Sequence, residues 1–346
     1  MIFLLFALDS LVTVVKEPQP NTVRGVYLPP GIFYLKKDLG EFFQMVDLGL
    51  INTVVLDIKN EKGVTFFNFY KDFIKKAKEK GIYLIGRQCV FKDEKLAFEN
   101  RGELALKDLS GNIWFQEKDG YWVDPSLPPV WEYNLGITKK AFEVGFDEVQ
   151  FDYIRYPSGD KPYKNSKNKI GNIIKFLELA KGIKPKDKRL SLTFYGYTVW
   201  NKYLVYEGQK FEEMSEKVDA IYPMLYPSHF HDYFMPDSTK EARTYSLIYK
   251  SVKNSQKRLP KEGIEIIPYI QAFSWKQSKL GKDYVFNQLK ASYEANSNGF
   301  VLWNPRGDYK RGFKELIDFD IYFFKKRLQS RFIGDDNRRD KENYWK

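Results

Sequence analysis

The chain has 346 residues, 43% hydrophobic and 17% aromatic, so material for a sizeable core is present and the length suits a barrel with insertions. A formal net charge of +11 raises nucleic acid, anionic lipid or an acidic polymer as partners. The lysines are spread along helix faces, however, and no zinc-finger spacing, Gly-rich phosphate loop or RNA-binding signature occurs, so no nucleic-acid partner is expected. Cys89 is the only cysteine, which excludes an intrachain disulfide, and the two histidines, His229 and His231, argue against a His-rich metal site.

Residues 1–20 open with an apolar run, Ile2 to Val15, broken by Asp9, Ser10 and Thr13. Its length suits a signal-peptide core, although a basic n-region and an Ala-x-Ala cleavage site are missing. It reads as a signal or as a short membrane or envelope anchor. The expectation leans towards an extracellular or cell-envelope location, with the cytoplasm as the alternative. No other run is long and apolar enough to span a membrane.

Residues 21–325 then alternate β-rich runs with helical stretches. Strands are expected at Arg24 to Leu28, Thr53 to Lys59, Ile82 to Phe91 and Glu148 to Arg155. Four more are expected at Leu190 to Tyr197, Ala220 to Tyr226, Glu265 to Phe273 and Gly299 to Asn304. Helices are expected at Leu39 to Gly49, Phe69 to Lys80, Ile137 to Val144, Ile170 to Lys181 and Tyr284 to Asn296. The second, third and fourth of these end at Gly81, Gly145 and Gly182, as C-caps do. Eight strands with helices between them give an α/β fold, a single-domain (β/α)8 TIM barrel. Two connections are long, Lys92 to Glu132 after the third strand and Pro227 to Glu262 after the sixth. On a barrel, loops after strands build the catalytic face. Residues 326–346 are charged and read as a mobile tail.

Alternation along a strand sorts the candidate chemistry. In the fourth strand, Val149, Phe151 and Tyr153 share the face that meets the helices, which sends Gln150 and Asp152 inward. Asp152 lies near the strand's C-terminal end, at the barrel mouth. A carboxylate in an apolar strand is costly without a partner, and Arg87 or Arg155 could supply one. In the second strand, Asp57 and Lys59 share a face and are expected at the mouth as well. Paired carboxylates are what glycoside hydrolysis needs, one ionised as nucleophile or base and one protonated as acid. Asp57 is the leading acid and Asp124, in the third loop, the second. Asp57 could equally be a structural partner of Lys59. Sugar rings present apolar faces, and aromatics gather where strands end: Trp200, Tyr226, Trp275 and Trp303, with Trp122 in the third loop. Core packing is the competing role for several of them. Gln271, Asn304 and His229 are polar groups placed to reach hydroxyls.

Several motifs go further. The run Phe146-Asp147-Glu148-Val149-Gln150-Phe151-Asp152-Tyr153-Ile154-Arg155-Tyr156-Pro157 resembles the central signature of a bacterial family, the putative glycosyl hydrolase domain. The blocks Trp122-Val123-Asp124-Pro125, Pro223-Met224-Leu225-Tyr226-Pro227-Ser228-His229-Phe230 and Leu302-Trp303-Asn304-Pro305 are similar to the same family. So are Arg24-Gly25-Val26-Tyr27 and Phe194-Tyr195-Gly196-Tyr197-Thr198, and the likeness runs from about Val23 to Tyr309. It implies a TIM barrel acting on carbohydrate, with no required organic cofactor; the residues themselves indicate no metal. The Asp152 motif also looks like the fourth-strand signature of chitinase-type barrels, but Ile154 stands where those carry their second carboxylate. The family resemblance further implies an Asp near the position of Thr193. That departure leaves two functions open, a glycoside hydrolase using Asp57 or Asp124 as acid, and a carbohydrate-binding barrel without turnover.

Overall fold

In the computed structural model the described residues are 22–325, apart from 166, 237 and 238. The expected signal or anchor at 1–20 and the charged tail at 326–346 lie outside them. Eight parallel strands close into a barrel. They are β1 (Val23–Leu28), β2 (Thr53–Lys59), β3 (Tyr83–Cys89), β4 (Glu148–Asp152), β5 (Arg189–Tyr195), β6 (Ala220–Met224), β7 and β8 (Gly299–Trp303). β7 comes in two pieces, Glu265–Ile266 and Tyr269–Gln271. Its first piece pairs with β6 and its second with both β6 and β8, while β8 pairs with β1, so the sheet has no free edge. Closure explains Gly299: its φ is +130° and a Cβ there would stand 1.9 Å from the Val23 carbonyl oxygen.

Each strand is buried on both faces, which is why the runs read as nearly continuous apolar sequence. The lumen is filled by Tyr27, Val55, Ile85, Tyr222, Ile267, Tyr269 and Val301. The larger core lies between the strands and the outer helices. There Phe151 meets Phe176 of the helix Lys169–Ile183, and Phe313, Leu316, Phe319 and Phe323 bury the inner face of the helix over residues 310–325.

Two outer helices depart from the sequence expectation. The helix expected at Ile137 begins at Pro128, with proline in its first turn, and carries buried Asn134 and Thr138. The connection after β6 contains a helix not anticipated at all, Lys240–Arg258, capped by the Thr239 side chain. Gly81 and Gly145 do end helices with positive φ, but Gly182 lies inside a helix that runs on to Ile183. No helix of the described residues is long and apolar enough to cross a membrane.

One expected side chain points the other way. A bulge between Asp57 and Lys59 shifts the register against β3, where Asp57 lies opposite Arg87 and Lys59 opposite Gln88. Lys59 therefore does not share the lumen with Asp57. It enters the helix layer, fully buried, and its Nζ donates to Asp93 at 2.7 Å and Asn134 at 2.9 Å.

Candidate functional site

The C-terminal ends of the strands converge on a cavity of about 440 Å³. Arg87 of β3, Asp152 of β4, Thr193 and Tyr195 of β5, Met224 of β6, Tyr269 of β7 and Trp303 of β8 line it. Tyr153, Arg155, Tyr226, His229, Phe273, Trp275 and Pro305 come from the segments that follow the strands. A second hollow, about 520 Å³, shares Tyr195, Met224, Tyr226 and His229 with the first and adds Tyr197, Tyr206 and Glu207. The two form one cleft across the barrel mouth, walled largely by aromatic rings.

Asp152 sits at its floor, 7% exposed, with both oxygens engaged. Thr193 Oγ1 and the Tyr153 amide each donate to Oδ1 at 2.7 Å. Arg87 reaches Oδ2 through Nε at 2.7 Å and Nη2 at 2.6 Å. Tyr153 itself adopts φ +49°, in the left-handed region that an aromatic residue rarely visits. Burial pushes the Asp152 carboxyl up, but the Arg87 charge and these donors outweigh it, and the group is held below the ordinary aspartate range. It is an ionised carboxylate at neutral pH.

Asp57 is on the other side of the same guanidinium. Arg87 Nη1 stands 2.6 Å from Asp57 Oδ1, and Tyr27 Oη donates to Oδ2 at 2.8 Å. Here burial dominates over the Arg87 charge, and the carboxyl is raised. Two carboxyls around one arginine are thus pushed apart, the electrostatic pattern of an acid and base pair. Asp57 does not line the cavity, however; it lies below, beneath Arg87 and the stacked rings of Tyr27 and Trp303, 3.9 Å apart.

The other anticipated residues divide. Arg155, Tyr226, His229 and Trp303 join Asp152 and Arg87 around the cleft. His229 is packed against Trp275 and Tyr226, and burial, helped by Lys276, lowers its pKa, so it is neutral at pH 7. Gln150 lies one layer below the floor, accepting from Tyr269 Oη at 2.5 Å, with its side-chain nitrogen unpartnered among the described residues. Asp124 is tied into its own turn, accepting from the Ser126 amide at 2.9 Å and from Asn165 at 2.8 Å, away from the cavity lining. Gln271 accepts from the Ser228 amide and donates to the Phe273 and Trp275 carbonyls, which shapes two loops of the rim. Asn304 does the same between the Ala272 and Asp308 carbonyls. Trp200 bonds Ser251 on the outer helix Lys240–Arg258, beside a separate surface hollow.

Sequence reasoning passed over Tyr27, Tyr195 and Tyr269 as site residues. Inward alternation in β1, β5 and β7 carried that information, but tyrosines in strands read as core. Thr193 stood out as a departure, and its hydroxyl turns out to hold Asp152. No group of metal-ligating side chains occurs among the described residues.

With this geometry in place, comparison with known proteins gives the family. The model described as "Putative glycosyl hydrolase domain" matches residues 25–309, and the chain belongs to that family. Among solved structures, the PgaB (BpsB) glycoside hydrolase domain from Bordetella bronchiseptica is 13% identical; the match covers 86% of this chain and 98% of that one, with a TM-score of 0.63. A class V chitinase from Pseudomonas fluorescens Pf-5 is 10% identical over 86% of this chain and 99% of its own, with a TM-score of 0.55. The spore cortex-lytic enzyme SleL from Bacillus cereus is 10% identical over 86% and 74%, with a TM-score of 0.54. At such identities the likeness is one of fold. No curated protein matches the sequence.

Proposed function

We propose that the barrel mouth cleaves glycosidic bonds in a polysaccharide or envelope glycan, with Asp152 as the ionised nucleophile or base. One observation carries this reading. Asp152 is the only carboxylate among the described residues lining the 440 Å³ part of the cleft, and its surroundings keep it charged; Glu207 lies in the adjoining hollow. An ionised group at this position can attack, or stabilise, an oxocarbenium-like centre. Tyr226, Trp303 and Trp275 offer faces for sugar rings around it.

Asp57 fits the acid electrostatically, because its carboxyl is raised. Its two oxygens are occupied by Arg87 and Tyr27, so delivering a proton to the cleft requires Arg87 to move aside. An exported or envelope-held protein is part of the proposal and rests on the apolar run Ile2 to Val15.

A second reading is a barrel that binds glycan without turning it over. It is favoured by the saturation of Asp152, whose oxygens already accept from Thr193, Tyr153 and Arg87. The two readings separate in one assay on a glycan panel, release of new reducing ends against retention of the polymer. Release supports hydrolysis; retention with no release supports the binding barrel.

A further inference from the structure

The cleft holds two arginines in different states. Arg87 grips Asp152 edge-on, with Nε and Nη2 both on Oδ2. Arg155 lines the same cavity but spends only Nη1 on hydrogen bonds, to the Tyr156 carbonyl at 2.9 Å and Ser158 Oγ at 3.3 Å. Its Nε–Nη2 edge has no hydrogen-bond acceptor among the described residues, and the nearest carboxylate, Asp119, stands 3.9 Å from Nη2. Asp119 is shared. It also faces Lys92 at 3.5 Å and accepts from the Ser158 amide at 3.3 Å. One anion therefore serves two cations, and a positive charge is left over at this wall.

The guanidinium is also fixed in place. It lies 4.7 Å from the ring centres of both Trp122 and Tyr195, and its side chain is 5% exposed. A buried cation with half its donors idle is costly unless a partner arrives. A fork held flat between rings loses little freedom when one does.

The geometry points to a glycan bearing carboxylates, a uronic-acid type of sugar, whose carboxylate docks on the free edge of Arg155. This rests on the glycan reading above and adds the acidic class of the substrate. Carboxylate is chosen over a neutral sugar because hydroxyl oxygens can accept from the fork but do not neutralise the charge that Asp119 shares between Arg155 and Lys92. The aromatic walls of the cleft then take the ring, which places the neighbouring linkage near Asp152.

The test is retention of the full-length protein on polygalacturonate, alginate and hyaluronate, each beside its carboxyl-reduced form. The wild type is expected to hold at least one acidic polymer about tenfold or more above its reduced form, the scale of a charge-assisted pair. Arg155→Gln should erase that preference. Arg155→Lys, which keeps the charge and loses the fork, should fall between, and it decides the matter if the glutamine variant does not fold. Lys75→Gln removes an equal charge from an exposed helix position and should leave the preference intact. A wild type without any acidic preference, or one that Lys75→Gln weakens as much as Arg155→Gln does, overturns the proposal. Cleavage of neutral glycans without that preference would retain hydrolysis and remove the acidic substrate. Acidic preference without cleavage would do the reverse.

Discussion

Replacing Arg87 with methionine removes one charge and orphans two. In the wild type a single guanidinium stands 2.6 Å from Asp57 Oδ1 and 2.6 Å from Asp152 Oδ2. Methionine has similar reach and no donor, and it leaves both carboxyls at sites only 4% and 7% exposed. Removing one partner of a buried ion pair costs about 3–5 kcal/mol. A barrel of roughly 300 residues, at about 2.1 cal/mol/K of unfolding entropy per residue, changes Tm by about 1.6 °C per kcal/mol, so the expected loss is about 5–8 °C. The effect also has a sign with pH. Without Arg87, burial is opposed only by the Thr193 and Tyr153 donors at Asp152 and the Tyr27 donor at Asp57, so both carboxyls move up. A raised carboxyl costs stability fully above its folded pKa, and the cost shrinks as pH falls through that value. In the wild type, the lowered Asp152 carboxyl contributes stability above its unfolded pKa and loses it as pH falls through the folded one. The first trend narrows the gap between pH 8 and pH 5, while the second sets in only below the unfolded value of about 3.9. Scanning calorimetry at pH 8 and pH 5 should therefore show a full deficit at pH 8 and a smaller one at pH 5. A drop below about 2 °C at pH 8, or a gap that widens at pH 5, would refute the two-carboxyl clamp.

Two further changes separate stability from function. Lys59→Met breaks a fully buried pair with Asp93 on the helix side and should cost about 3–5 kcal/mol, yet leave glycan retention by the folded protein unchanged. Loss of retention at an unchanged Tm would place Lys59 at the mouth after all. Trp275 is half exposed on the cavity wall, so Trp275→Ala should move stability by no more than about 0.5 kcal/mol while weakening glycan retention roughly threefold to tenfold. Retention at the wild-type level would remove this ring from the sugar platform.

The barrel was legible because its strands are. Runs such as TVVLDIK and EVQFDYIR stand out by being apolar on both faces, and all eight appear within a few residues of their expected bounds. The helix Lys240–Arg258 was not legible, for a physical reason. Its buried face is built from Thr244, Ser251 and Ser255 as well as Leu247, Ile248 and Val252, so no apolar stripe marks it. The first half of the helix Pro128–Glu143 was hidden in the same way. Its buried Asn134 packs on Gln88 and accepts from Lys59, a polar layer that periodicity does not register. Alternation placed Asp152 and Asp57 in one lumen, with Arg87 named as a partner for Asp152. It failed at Lys59 because a bulge of one residue reverses every side chain beyond it. The roles of Tyr27 and Thr193 depend on contacts across 30 and 41 residues, and nothing local to either announces them.

The most direct test of the central claim compares the wild type with Asp152→Asn on a panel of bacterial and plant polysaccharides, reading new reducing ends alongside polymer retention. Asparagine keeps the shape and removes the charge that Arg87, Thr193 and Tyr153 surround. The account predicts release by the wild type, release at background by the variant, and retention by both. Equal release by the two proteins would contradict it and take Asp152 out of the chemistry.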